Sequence, residues 1–149
     1  MRVLLDTNVL YNYLFETPLT EKATEVLLEA DRLYVSTIVL NELHYSVMRR
    51  KAEKELGITS YRKLKEFLAK EGYSPFHEDF KAIEETLNLL EVSTLPDSQN
   101  WELIKRLMFR YSLLPNDATI LATCIEHGLD ALATFDEDYR KVQEVKILP

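Results

Sequence analysis

Apolar positions follow two rhythms along the chain. Short apolar runs at residues 2–5 (RVLL), 32–36 (RLYVS), 129–135 (LDALATF) and 144–148 (EVKIL) read as buried or β-like strands, and a further short strand fits at 91–95. Between them, apolar residues recur every three or four positions. Val9, Leu10, Tyr13 and Leu14 form one such stripe after the cap-like Asp6-Thr7-Asn8, and Ala23, Val26, Leu27 and Ala30 form a second over 20–30. Ser36 or Thr37 is expected to cap a long helix running to about Leu56. The middle predicts helices over 59–71, 78–91 and 97–112, separated by Gly72, Pro75 and Pro96. Asn116 is expected to cap a helix through about His127, with Gly128 ending it. Short apolar strands alternating with helices predict an α/β fold with a mostly parallel sheet covered on both faces. In such sheets ligands bind at the carboxyl ends of the strands.

Length and composition narrow the class. The 149 residues, 46% of them apolar, suit one compact domain spanning 1–149. One cysteine, Cys124, allows no internal disulfide, and no Cys/His set has zinc-site spacing, so a reducing cytoplasm is expected. Asp6 interrupts the first apolar run and no stretch approaches the roughly 18 apolar residues of a membrane span, so neither secretion nor membrane insertion is supported. The three glycines are widely separated, which disfavours a Gly-rich phosphate loop. A net charge of −7 argues against nucleic-acid binding, because Lys and Arg usually supply most of the affinity for phosphates. That argument weakens if several of the acids surround divalent metal ions, which reverse the local field.

Four acids have contexts that point to such a cluster. Asp6 closes the first strand and Asp136 follows the strand ending near Phe135, so both belong to the carboxyl edge of a parallel sheet. Asp117 heads an apolar stripe continued by Ile120, Leu121 and Cys124 and should point inward. Glu42 shares a face with Ile38, Val39 and Leu43, so something cationic is expected to meet it. Lys and Arg are missing from 4–10, 36–43, 115–121 and 133–138. Like charges raise one another's pKa, so a hard divalent cation is the expected partner. Taken singly, Asp6 and Asp117 are equally readable as helix caps, Asp136 as a turn residue and Glu42 as half of an ion pair.

The segments LLDTNVL, STIVLNEL, PNDATILATCIEHG and LATFDEDY, in this order and these contexts, resemble the PIN-domain family, especially the VapC-type ribonuclease toxins of prokaryotic toxin–antitoxin pairs. The resemblance spans almost the whole chain. It implies a three-layer sandwich with strand order 3-2-1-4-5, and a metal-dependent endoribonuclease using Mg²⁺ or Mn²⁺. It places catalytic and metal-binding roles on Asp6, Glu42, Asp117 and Asp136, with one metal position tightest to Asp6 and Asp117 and either one or two metals in use. Asn8 and Thr134 match supporting polar positions, and Asp138 is an alternative or assistant to Asp136. The resemblance further implies an RNA substrate, a homodimer and a cognate antitoxin.

Arg49, with Arg50, Lys51 and Lys54, forms a basic run seven residues and more beyond Glu42. Arg49 is therefore a substrate-binding candidate for RNA phosphate, or a contact for an acidic antitoxin segment; a solvated helix face is the competing reading. Lys63, Lys65, Lys105, Arg106 and Arg110 read as surface charge. Trp101, Phe109 and Tyr111 read as core or dimer contacts rather than base-stacking platforms. His44, His77 and His127 read as structural or exposed. Two rival functions remain: a non-catalytic PIN-like module binding RNA or protein, and a haloacid-dehalogenase-like phosphatase. Phosphatases of that type carry a further Asp two residues after the nucleophile, where this chain has Asn8.

Overall fold

The computed structural model describes all 149 residues. In chain order the elements are β1 (Arg2–Leu5), α1 (Thr7–Leu14), α2 (Thr20–Glu29), β2 (Arg32–Ser36), α3 (Thr37–Glu55), α4 (Tyr61–Glu71), α5 (His77–Leu89), β3 (Ser93–Leu95), α6 (Trp101–Tyr111), α7 (Pro115–Glu126), β4 (Ala131–Ala133) and β5 (Lys146–Leu148). Single 3₁₀ segments occupy Ser74–Phe76 and Glu137–Lys141. The five strands form one all-parallel sheet in the order β3-β2-β1-β4-β5. No helix is long and apolar enough to cross a membrane.

Parallel neighbours need crossover connections, and here those connections are the helices. Val3, Leu4 and Leu5 in β1 and Ala131, Leu132 and Ala133 in β4 have no solvent exposure. Successive strand residues point to opposite faces, so unbroken burial means that both faces of the central strands are covered. Helices α1, α2 and α3 pack together on one another, as do α6 and α7. A continuous core of 31 buried residues runs from Val3 to Leu148. The chain winds outward from β1 through β2 to β3, then returns to place β4 on the other side of β1. The strand order therefore switches between β1 and β4, and such a switch opens a crevice at the carboxyl ends of its two strands.

Four of the seven helix starts carry a side-chain cap. Asp6, Ser36, Ser60 and Asn100 each accept a hydrogen bond from a first-turn N–H. Asn116 does not cap α7. Pro115 takes the first helical position behind Leu114, because its missing N–H costs nothing there, and this frees the Asn116 side chain. Helix α6 begins four residues later than the apolar spacing suggests, because 97–100 is committed elsewhere. Asp97 accepts from the Ile38 N–H at 3.1 Å, and the Ser98 N–H donates to Thr123 Oγ1 at 2.9 Å. The strand expected over 129–135 contracts to Ala131–Ala133, since Asp130 binds Arg2 and Thr134 turns into a polar cluster. The 3₁₀ turn after it was not expected. Asp136 caps it and Tyr139, fully buried, anchors it.

Two of the three aromatic residues read as core or dimer contacts are not in the core: Trp101 is 55% and Phe109 83% exposed, whereas Tyr111 is buried. Both exposed rings lie on the α6 face opposite Leu103, Ile104 and Leu107, which fill the core. Replacing Leu132, fully buried in β4, by Ala is expected to cost about 2–5 kcal/mol of stability through the lost transfer energy and the residual cavity. Leu28→Ala, at a position 81% exposed, should shift stability by less than about 0.5 kcal/mol. Denaturant unfolding of the two variants measures the contrast.

Candidate functional site

The switch between β1 and β4 is closed by a network built on Asp6. The Asp6 N–H donates to the Ala133 carbonyl at 2.9 Å, extending the β1–β4 ladder to the start of α1. Its carboxylate is buried and held by three neutral donors: the Thr7 N–H at 2.7 Å, Thr134 Oγ1 at 2.7 Å and Asn8 Nδ2 at 3.1 Å. Asn8 reaches across the switch, donating to Thr134 Oγ1 at 3.1 Å and accepting from the Phe135 N–H at 2.9 Å. Thr134 in turn accepts from the Asp136 N–H at 3.0 Å, which sets the turn carrying Asp136. Asp6 is thus both the cap of α1 and a wall of the crevice.

Glu42 arrives from the second turn of α3 and Asp117 from the first turn of α7. No lysine or arginine pairs with Glu42, so the ion-pair reading of this residue is not met. Thr7 Oγ1 donates to its Oε2 at 3.0 Å and Asn116 Nδ2 to its Oε1 at 3.1 Å. None of the ten ion pairs in the structure involves Asp6, Glu42, Asp117 or Asp136. Tyr139 Oη donates to the Asp117 carbonyl at 3.1 Å, tying α7 to the turn after Asp136. Asp138 is exposed, meets Asp136 only through its backbone N–H at 2.9 Å, and does not line the crevice. Asp136 does.

Together the four acids line one open cleft of about 540 Å³. Of its thirteen lining residues only one is hydrophobic, unlike the predominantly apolar lining of pockets that take small organic ligands. Beyond those four acids, the cleft is bounded by Tyr11 and Asn12 of α1 and by Ser46, Arg49, Arg50, Glu53 and Lys54 of α3. Sequence reasoning found Arg49 but missed the orienting roles of Thr7, Asn116 and Tyr139. Thr7 and Asn116 each adjoin an acid of the cluster, which was the available signal; nothing in the sequence marks Tyr139.

Burial pushes the Asp6 carboxyl above the usual range, against the lowering effect of its Thr134 and Thr7 hydrogen bonds, and the charges of Glu42 and Asp136 add to the rise. Asp117 is pushed up to about 6, first by burial and then by the charges of Asp6, Asp136 and Glu42. The cluster is therefore short of positive charge. An all-oxygen donor set with neutral hydrogen-bond support suits a hard divalent cation. No three acidic, His or Cys side chains already close around a point. Such openness is compatible with an ion like Mg²⁺, which is usually bound through one or two carboxylates and keeps several waters.

The Asp117 shift has a consequence for stability. Its folded pKa of about 6 lies above the ordinary 3.8, so ionisation costs the fold as pH rises through that window and the cost is complete above it. In metal-free protein, Asp117→Asn should therefore be more stable than the unsubstituted chain at pH 8. The gain is on the order of 1 kcal/mol after solvent screening, or about 3 °C in Tm. At pH 3, below both the folded value of about 6 and the ordinary 3.8, the difference should nearly vanish. Thermal unfolding in EDTA across this range tests it.

Known proteins match this chain at two levels. The sequence profile of the PIN domain matches residues 3–145. Ribonuclease VapC6 of Methanocaldococcus jannaschii is 32% identical over 119 residues, covering 78% of this chain and 75% of that protein. Among solved structures, Mycobacterium tuberculosis VapC20, described as a sarcin–ricin loop cleaving toxin, superposes with a TM-score of 0.62 at 15% identity, over 99% of both chains. A toxin–antitoxin complex from Klebsiella pneumoniae also gives 0.62, at 22% identity over 96% of this chain and 94% of that one. With the profile spanning all four acids and the sheet order the same as the resemblance implied, the chain belongs to the PIN-domain family and is a relative of the VapC ribonucleases.

Proposed function

We propose that this protein is a metal-dependent endoribonuclease that hydrolyses RNA phosphodiester bonds and serves as the toxin of a toxin–antitoxin pair. The observation that carries this reading is the set of four carboxylates lining one cleft, none of them paired with a lysine or arginine. The ribonuclease relative and the toxin–antitoxin neighbour support the activity and the antitoxin partner. The profile match over residues 3–145 supports reading the chain as one PIN-like unit.

Asp6, Glu42, Asp117 and Asp136 would hold Mg²⁺ or Mn²⁺, with Asp6 and Asp117 the main ligands. When bound, the cation supplies Lewis-acid polarisation of the phosphoryl group and an acidified water. The chain's own residues do the positioning. Thr134, Asn8 and the Thr7 N–H fix the Asp6 carboxylate, and Tyr139 fixes the backbone at Asp117. Thr7 and Asn116 fix Glu42, whose carboxylate can orient the attacking water and accept its proton; Asp136, across the cleft, is the alternative acceptor. In the phosphatase rival, the residue two after Asp6 has to act as acid. Here Asn8 is committed to bridging Asp6, Thr134 and Phe135, which leaves that chemistry without its second carboxylate. Trp101 and Phe109, exposed on α6, support a homodimer through that face.

The test is cleavage of a fluorescently labelled RNA panel in Mg²⁺, Mn²⁺ or EDTA. Cleavage should require the metal, and Asp117→Asn, purified identically, should lose at least about 100-fold in rate. Asp138→Asn should stay within about threefold of the unsubstituted chain, because its carboxylate faces solvent. Metal-dependent RNA binding without cleavage would replace the nuclease reading with that of a binding module.

A further inference from the structure

The cleft carries both signs: besides the four acids it is lined by the α3 cations Arg49, Arg50 and Lys54, with Glu53 among them. Those cations are not equivalent. Arg49 is exposed and its guanidinium is paired with Glu53 at 3.0 Å. Lys54 is exposed and forms no ion pair, so ordering it on a ligand would cost side-chain entropy. Arg50 is half-buried and forms no ion pair either, yet it is already held in place. Its guanidinium carbon lies 4.2 Å from the centroid of the Phe15 ring, and its Nη1 donates to Tyr11 Oη at 3.3 Å. Both partners are neutral groups of α1 and its C-terminal cap, so they fix the guanidinium plane without neutralising its charge.

Resting on the ribonuclease reading above, we propose that Arg50, rather than Arg49, is the anchor for an RNA phosphate next to the one that is cut. A guanidinium matches a phosphate bidentately, and pre-ordering lowers the cost of that contact. Arg50 stands eight residues beyond Glu42 on one helix, about 12 Å along its axis, a separation that suits a neighbouring phosphate better than the scissile group beside the acids. It is a substrate-positioning residue. It also eases the charge problem posed by an acidic protein, since it adds one fixed phosphate contact without a broad basic face.

The experiment measures binding of a labelled single-stranded RNA in Mg²⁺ by anisotropy across a salt series. An Asp117→Asn background blocks cleavage. Arg50→Gln should weaken binding about tenfold and make the plot of log affinity against log salt shallower by about 0.7, the value for one lost phosphate contact on a single strand. Arg50→Lys should restore the slope but not the full affinity, and Arg49→Gln should leave the slope unchanged. A purely structural Arg50 would lower thermal stability without changing the slope, so an unchanged slope in Arg50→Gln overturns the proposal, as does a larger effect from Arg49→Gln. If Arg50→Gln abolishes binding of a polyglutamate peptide but not of RNA, the anchor serves an acidic protein partner and the proposal also falls. If the parent protein binds no RNA in Mg²⁺, the ribonuclease reading fails with it; RNA binding with an unchanged slope removes the anchor alone.

Discussion

The structure turns on the repulsion among four carboxylates that no lysine or arginine neutralises. Two like charges about 4 Å apart repel by roughly 1 kcal/mol in water and several times that near a protein surface. The fold contains this repulsion in two ways. Neutral donors from Thr7, Asn8, Thr134 and Asn116 hold the oxygens in place, and part of the charge is withheld, as the upward shifts at Asp6 and Asp117 record. A lysine in the cluster would have stabilised the metal-free fold and competed with a cation for the same oxygens. Its absence therefore trades folding stability for a local deficit of positive charge, the kind of cost that concentrates at functional sites.

Topology explains why the acids meet. Asp6 and Asp136 are 130 residues apart in sequence, and they share an edge because the chain reverses its winding direction between β1 and β4. The two helices that carry Glu42 and Asp117 start near that same edge. The supporting residues have the same logic: Asn8, from the start of α1, pins the end of β4, so the site's geometry is fixed by the same bonds that close the sheet at the switch. A substitution at Asn8 or Thr134 would disturb Asp6 and the turn carrying Asp136 together, since one hydroxyl touches both.

Much of this was legible in the sequence where local patterns agree with tertiary structure. The strands at 2–5 and 32–36 and the helices after Asp6 and Ser36 follow from apolar period and cap residues, and the acids could be placed at strand ends from those boundaries. The misreadings have a common cause in side chains that serve distant partners. Asn116 looks like a cap but bonds Glu42, 74 residues away. Asp97 and Ser98 look like the first turn of a helix but tether α3 and α7. Glu42, readable as half of an ion pair, meets a hydroxyl and an amide from other elements instead. The choice between Arg49 and Arg50 was equally hidden, because it depends on Phe15 and Tyr11, which only the packing of α1 against α3 brings near.

The central claim is that the carboxylates form a divalent-cation site. Anomalous diffraction from crystals of the full chain grown with saturating Mn²⁺ addresses it most directly. The account predicts a peak in the cleft at about 2.1 Å from carboxylate oxygens of Asp6 and Asp117, with waters completing the coordination. An empty cleft under those conditions, with no peak near the four acids, would contradict it.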